Sequence, residues 1–270
     1  MTKRVGVFVL MSIFGATVAF GSEIREFSIP TLEKLGRELS RRDEIAARAS
    51  DAVLETQPAA KALKMRGWIT ELGKTEDKVH LIAEASSGPC LAYTVSFRGS
   101  NKPRVEDRRG QALPPGIAVR YNARQTAIAA LAGKFFDASY NFEVLSDPER
   151  DGFLVYGLAS TSKNGEQITG GHFRVTVSRD GSRVERVDAL SHGIIKDVPK
   201  LPPGATQMSM VSTQLVSNIP VETFIYTSNL YRLPMYVATK DGAAWRIVNG
   251  KIHKFTKAEI AALKKQKERK

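Results

Sequence analysis

From Gly67 to Val248 the chain falls into strand-length runs of alternating apolar and polar residues, separated by turn residues. This punctuation restricts the fold more than any other feature, because period-two alternation suits a half-buried strand and not a helix. Trp68 to Leu72, Val79 to Ala85 and Leu91 to Phe97 are joined by Gly73-Lys74-Thr75-Glu76-Asp77 and Ser86-Ser87-Gly88-Pro89. Linkers this short connect antiparallel neighbours. A second group, Asn141 to Leu145, Phe153 to Ala159, Gly171 to Ser178 and Val184 to Ser191, is broken at Asp147-Pro148, Lys163-Asn164-Gly165 and Asp180-Gly181. A third group follows at Met208 to Val216, Val221 to Thr227, Met235 to Thr239 and Ala244 to Val248.

Each of the first two groups is preceded by a helical pattern. Ser28-Ile29-Pro30-Thr31 supplies a capping residue and an early proline, and Leu32, Leu35, Leu39, Ile45, Ala46, Ala49 and Val53 then recur at helical spacing up to Pro58, interrupted at Arg41 and Arg42. Glu33, Arg37, Arg41, Glu44 and Arg48 read as its solvated face. Asn122 to Phe136 carries a face of small residues that suits close approach to a sheet, and Arg98 to Gln111 with Pro114-Pro115-Gly116 reads as a linker. The expected fold class is α+β, with a helix followed by antiparallel β-meander units, two of them, after a cleaved signal peptide. The expected division is 1–21 signal peptide, 22–112 helix plus meander, 113–198 a second α+β unit, 199–250 C-terminal strands on the body, and 251–270 a basic tail.

The leader is read from MTKRVGVFVLMSIFGATVAFG. Lys3 and Arg4 form a positive n-region, Val5 to Phe20 an apolar stretch, and Ala19-Phe20-Gly21 a small-x-small site for cleavage before Ser22. A spanning helix needs about 20 apolar residues, and Ser12, Gly15 and Thr17 interrupt this shorter run. With no Cys at the cleavage point, a free periplasmic or secreted product is expected. Cys90 is the single cysteine, so no internal disulfide forms, and its place ahead of Leu91, Tyr93, Val95 and Phe97 predicts a buried strand thiol.

The formal charge of +12 is concentrated at the C-terminus, where eight Lys/Arg against Glu259 and Glu268 give residues 251–270 a net +6. Charge gathered in an exported tail argues against a nucleic-acid groove and points to anionic envelope surfaces, contacted through Lys264, Lys265, Lys267, Arg269 and Lys270. Thr256 and Glu259 have capping-box spacing, so the tail should begin as a short helix.

In element order, residues 117 to 192 resemble the small helix-then-meander domains of bacterial envelope proteins, the cystatin-like and PepSY-like group. The resemblance implies a sheet wrapped on its helix with an open face or edge that binds something. The phrases Met65-Arg66-Gly67-Trp68-Ile69, Gly170-Gly171-His172-Phe173-Arg174 and Leu233-Pro234-Met235-Tyr236-Val237 are similar to segments of exported bacterial proteins of unassigned function.

The hairpin across Asp180-Gly181 yields the main site candidate. A two-residue loop would set Val175 opposite Arg186, whereas a three-residue loop pairs Phe173 with Ala189 and Val175 with Val187, a cleaner apolar face. The second register gathers His172, Arg174, Arg186, Asp188 and His192 on the opposite, polar face, with Arg174 across from Asp188. Two His and one Asp have zinc-site chemistry, but Arg174 competes for Asp188, so a solvated face of cross-strand ion pairs is favoured, with anion binding through Arg174 and Arg186 next. Phe224, Tyr226, Tyr231 and Arg232 form an aromatic interface candidate, with Phe224 and Tyr226 on one face of a strand.

No metal or cofactor is expected. Neither GxSxG nor a helix-start SxxK is present, and Glu143, Asp147, Glu149 and Asp151 surround a proline turn, where acidic residues are ordinary turn chemistry. The expected function is that of an exported, non-catalytic binding or accessory module, an inhibitor or immunity-like partner of another exported protein. The alternatives are a hydrolase of an envelope polymer and a scaffold tethered to anionic surfaces by its tail.

Overall fold

The computed structural model describes residues 23–99, 102–199 and 208–267. Residues 1–21, read above as a signal peptide, Arg269, Lys270 and most of the proline-rich stretch around Pro202 lie outside them. Helix α1 (Ile29–Thr56) starts where the sequence indicates, with the Ser28 hydroxyl accepting from the Thr31 amide and proline in the first turn. Its two halves serve different cores. Leu32, Leu35 and Leu39 enter one, and Ile45, Ala49 and Val53 enter another.

The C-terminal half of α1 packs on an antiparallel sheet in the order β1 (Met65–Glu71), β2 (Asp77–Ala85), β3 (Gly88–Phe97), β4 (Arg104–Gln111). Cys90 is a buried free thiol of β3, as expected. The supposed linker 98–111 is largely β4, an edge strand whose charges pair among themselves, Arg109 with Asp107 and both Arg104 and Arg108 with Glu106. Charge on an edge blocks further strand addition, and it also erased the apolar alternation by which strands are recognised.

Helix α2 (Pro115–Ala130) begins seven residues earlier than its small-residue face suggested, because Pro114-Pro115, read as a linker, starts the helix: proline at the first position sacrifices only an amide that has no helical partner. The chain then forms β5 (Ser139–Ser146), β6 (Gly152–Ser160), β7 (Gln167–Gly170), β8 (Phe173–Ser178), β9 (Val184–Ala189) and β10 (Ile194–Asp197). β5-β6-β8-β9 is a four-stranded antiparallel sheet, and β7 and β10 form a separate ribbon. Gly170 and Gly171, at φ 77° and 74°, turn the chain between β7 and β8 through a region that side-chain-bearing residues seldom occupy. The register across β8 and β9 pairs Phe173 with Ala189, Arg174 with Asp188 and Val175 with Val187, the three-residue-loop alternative.

The last unit departs from a meander. β11 (Met210–Gln214) pairs parallel with β12 (Met235–Thr239), followed antiparallel by β13 (Ala244–Val248) and β14 (Lys251–Lys254). A parallel pair requires a crossover, and it is supplied by α3 (Glu222–Tyr231). Residues 222–227 are therefore helical, not a strand, with Val221 as the extended N-cap. Every residue from Glu222 to Ser228 is buried, and a helix enclosed on all sides shows no amphipathic stripe. α4 (Lys257–Lys267) closes the described chain as the expected tail helix, with the Thr256–Glu259 capping box formed.

The β5-β6-β8-β9 sheet is the middle layer. Val144, Val155, Val175 and Val187 pack on α2, while Leu145, Leu154, Tyr156 and Leu158 of the other face share a core with α1, α3, β12 and β13. Glu33, assigned above to a solvated face, is buried and accepts from the Ile252 amide at 3.0 Å and Lys251 at 2.8 Å, fastening α1 to β14.

The helices α1 and α3 touch at Gly36. A Cβ there would stand 2.5 Å from Ile225 Cβ and 2.7 Å from the Glu222 carbonyl oxygen. The Gly36→Val variant must push the helices apart, at an expected cost of about 1–3 kcal/mol. A chemical denaturation curve checks this, and an unchanged midpoint would show that α3 is not seated at that distance.

Candidate functional site

The sheet face under α1 and α3 carries a polar row. Glu143 of β5, Tyr156 of β6, Arg174 of β8 and Asp188 of β9 stand opposite one another in register. Strand alternation puts them on one face, as the hairpin argument proposed for Arg174 and Asp188. That face is not solvated. Arg174 is 0% exposed and Asp188 2%, because α1, α3 and the segment before α1 cover them.

Arg174 is satisfied on every side. Its Nε and Nη2 donate to Asp188 Oδ2 at 3.2 and 2.8 Å, its Nη1 donates to Glu222 Oε1 at 2.6 Å, and Nη2 also donates to the Arg25 carbonyl oxygen. The Phe27 ring lies 4.7 Å from its guanidinium carbon. Tyr156 donates to the same Glu222 oxygen at 2.7 Å. Burial alone would lower the Arg174 pKa, but Glu222, Tyr156 and Asp188 reverse this and hold the guanidinium charged. Arg186 donates to the other Asp188 oxygen at 2.5 Å, and Arg25 spans Asp147 and Glu149. The network ties residues 23–27 and α3 onto the sheet.

The other end of the row holds four titratable groups in poor contact with water. Glu143 accepts from Trp68 Nε1 at 2.7 Å, and its second oxygen is buried without a partner. Burial pushes its carboxyl up to about 7; the Trp68 hydrogen bond and the Arg42 charge oppose that rise, and Asp43 adds to it. His172 accepts at Nδ1 from the Ala159 amide at 3.0 Å, leaving Nε2 buried and unpartnered, and burial pushes it down to about 4. Tyr226 lies edge-on to His172, 5.8 Å between ring centroids, and donates to Asp43 Oδ2 at 3.1 Å. Asn141 donates to Asp43 Oδ1 at 3.2 Å. Burial raises the Asp43 pKa, and these two hydrogen bonds oppose the rise.

The sequence-derived residues thus separate. Arg174, Asp188 and Arg186 meet as proposed, His172 is buried beside Tyr226, and His192 is exposed in the loop after β9. Among the described residues no group of three or more His, Cys, Asp or Glu is placed to hold a metal ion. Phe224 and Tyr226 are core residues of a helix, 4% and 2% exposed, and not the face of a strand. Tyr231 accepts from the Ile168 amide at 2.7 Å, and Arg232 is exposed at the left-handed C-cap of α3. Lys264, Lys265 and Lys267 fall on α4.

Three open features adjoin α1 or the C-terminal sheet and carry chemistry of interest. A cleft of about 390 Å³ lies between α1 and α3, reaching Asp43 and Tyr226 at one side. A second, of about 500 Å³, lies between α1 and the β1–β2 turn. The third is the outer face of the C-terminal sheet, where Val211, Tyr236, Arg246 and His253 stand in register across β11 to β14. Val211 is 75% exposed, and Tyr236 stacks on Phe255 with 6.2 Å between centroids. The sequence analysis missed both Asp43 and this face. The signal for the first was the break in the α1 stripe at Arg41-Arg42, and for the second the period-two exposure of β12 and β13.

No protein-family model matches the chain, and no curated protein matches it either. Two solved structures are similar in part: a protein classed as a lipoprotein from Clostridium difficile 630, 12% identical over 52% of this chain and 90% of that one, TM-score 0.18, and the Bacillus megaterium YpeB C-terminal domain, 12% identical over 63% and 69%, TM-score 0.18. At that TM-score neither alignment establishes a shared fold.

Proposed function

We propose that the protein is exported and acts by binding, as an accessory module whose outer C-terminal sheet face receives an acidic exported protein. The observation that carries this reading is the open face itself. Val211, Tyr236 and the stacked Phe255 give it an apolar centre, and Arg246 gives it a cationic rim beside His253, with Lys251 at the β14 edge paired to Glu33. Interfaces commonly join an aromatic centre to a polar rim, and a basic rim favours an acidic partner. His253 bonds Glu259 at 2.9 Å, which holds the start of the basic helix α4 beside the same face. Export rests on the leader pattern of residues 1–21, and no helix among the described residues is long and apolar enough to cross a membrane.

By contrast, Glu143 and His172, whose protonation burial shifts, are enclosed, which disfavours the polymer-hydrolase alternative. The test is a pull-down from native envelope extract with the full chain, the Val211→Glu/Tyr236→Ala variant and a chain ending at Thr256. One acidic protein retained in stoichiometric amount by the first and third, and reduced at least tenfold with the second, is the expected result, since an interface anchor contributes about 2 kcal/mol or more. Equal recovery with the face variant, or recovery of no protein, would reject the reading. Loss confined to the shortened chain would transfer the binding to the tail and reject the face.

A further inference from the structure

We infer that the cleft between α1 and α3 is a binding site for the free amino terminus of a short peptide or amino acid, with Asp43 as the counter-charge. This goes beyond the protein-partner reading and does not depend on it.

The cleft is a consequence of helix geometry. α1 and α3 are pressed together at Gly36 and Ile225. Further along, beside the contacts of Asp43 with Tyr226 and of Ser40 with Asn229, a space of about 390 Å³ opens along Ala47, Asp51 and Leu230. One end is closed by the Asn229 amide donating to Ser40 Oγ at 3.0 Å. The volume is within the range of small-ligand sites, about 300–1,000 Å³.

Its chemistry is polarised. Asp43 is half-buried and takes its hydrogen bonds from neutral donors, the Tyr226 hydroxyl and the Asn141 amide, at 3.1 and 3.2 Å. A carboxylate withdrawn from water without a cation is costly, and such groups are normally paired. An ammonium entering the cleft would supply the missing charge. Behind Asp43 the carboxyl of Glu143 adds negative potential whenever it is ionised.

The mouth carries both signs, with Arg48 and Arg232 lining it together with Glu44 and Asp51. A wall of mixed charge favours a ligand that carries a charge of each sign over a polycation. The exposed Leu230 gives the ligand body an apolar wall.

Calorimetric titration of the full chain at pH 7 tests the site, using L-alanine, Ala-Ala, Ala-Ala-Ala and Nα-acetyl-Ala-Ala-Ala as probes. At least one free-amine probe should bind with a Kd below about 1 mM, with acetylation or Asp43→Asn weakening it about tenfold or more. Preference for L-alanine over the peptides, or the reverse, identifies which source the site takes. The Leu230→Trp variant, which fills the mouth and leaves the floor alone, should also abolish binding, and it serves if Asp43→Asn does not fold. No heat with any free-amine probe, equal binding of the acetylated peptide, or unchanged binding by either variant would overturn the inference. None of these outcomes bears on the sheet-face pull-down, so the two readings fail separately.

Discussion

Replacing Arg174 with methionine is expected to lower the folding free energy by about 3–5 kcal/mol, the range for removing one member of a buried ion pair. The reason is what stays behind. Asp188 and Glu222 are fully enclosed, and the two acids meet at the one guanidinium that links β9 to α3. Without it, Glu222 is left buried without a cation and with only the Tyr156 hydroxyl as donor, Asp188 keeps Arg186 alone, and the Arg25 carbonyl loses its donor. Urea denaturation measures the loss as a fall in midpoint at unchanged slope. The charge-balanced Arg174→Met/Glu222→Gln variant should recover part of it, because the second change removes one stranded charge. An exposed pair provides the control. Arg179 and Asp151 are 81% and 69% exposed, and breaking their 2.9 Å contact should change stability by less than about 1 kcal/mol. A midpoint for Arg174→Met indistinguishable from wild type would mean that water reaches the network and that α3 is not fastened through it.

The Arg174 network also marks the boundary of what was legible in the sequence. The pairing of Arg174 with Asp188 followed from hairpin arithmetic, since only one register kept Phe173, Val175 and Val187 together. Alternation states which residues share a face. It does not state whether another layer covers that face, and here two helices from distant parts of the chain do. One of them, α3, was unreadable for a related reason: Thr223, Phe224, Ile225, Tyr226 and Thr227 are β-branched or aromatic residues with good strand propensity, and burial on all sides, with the parallel crossover between β11 and β12, overrides that preference. β4 was hidden by the reverse effect, an edge strand whose charges conceal its period.

The candidate sites divide along the same line. Arg42, which seemed an intrusion into the α1 stripe, is buried, donates to the Thr70 carbonyl at 2.5 Å and pairs with Glu38. Its neighbour Asp43 faces Tyr226. A polar break in an apolar stripe was therefore a tertiary-contact signal, but the partner that gives it meaning lies 183 residues away and is fixed only by the tertiary fold.

The second large effect is a pH dependence that appears only when one of two opposing groups is removed. Glu143 is held up at about 7 from an ordinary 4.5, so the folded protein keeps its proton after the unfolded chain has lost it. The stability it contributes is present below pH 4.5 and is lost as pH rises to 7. His172 is pushed down to about 4 from 6.5, so the unfolded chain takes up a proton first as pH falls. Its contribution is present above pH 6.5 and is lost as pH falls towards 4. Between pH 4.5 and 6.5 the slopes have opposite signs, and each is worth about 3 kcal/mol over its window. Wild-type stability from this pair should therefore be nearly flat. The Glu143→Gln variant, which still accepts from Trp68, exposes the His172 limb, and its stability should rise by about 3 kcal/mol between pH 4.5 and 6.5. The His172→Asn variant, whose side-chain oxygen can accept from the Ala159 amide, exposes the Glu143 limb and should lose about 3 kcal/mol between pH 4.5 and 7. Asp180 and Glu259, both held down to about 2 by hydrogen bonds, lie outside this window, since their contributions are lost only below their ordinary values of 3.8 and 4.5. Denaturant titrations of the three proteins across pH 4.5 to 7 decide the matter. Opposite slopes in the two variants around a flat wild type establish that both groups are buried in the unionised form, whereas parallel curves would show that the helices leave this end of the polar row open to water.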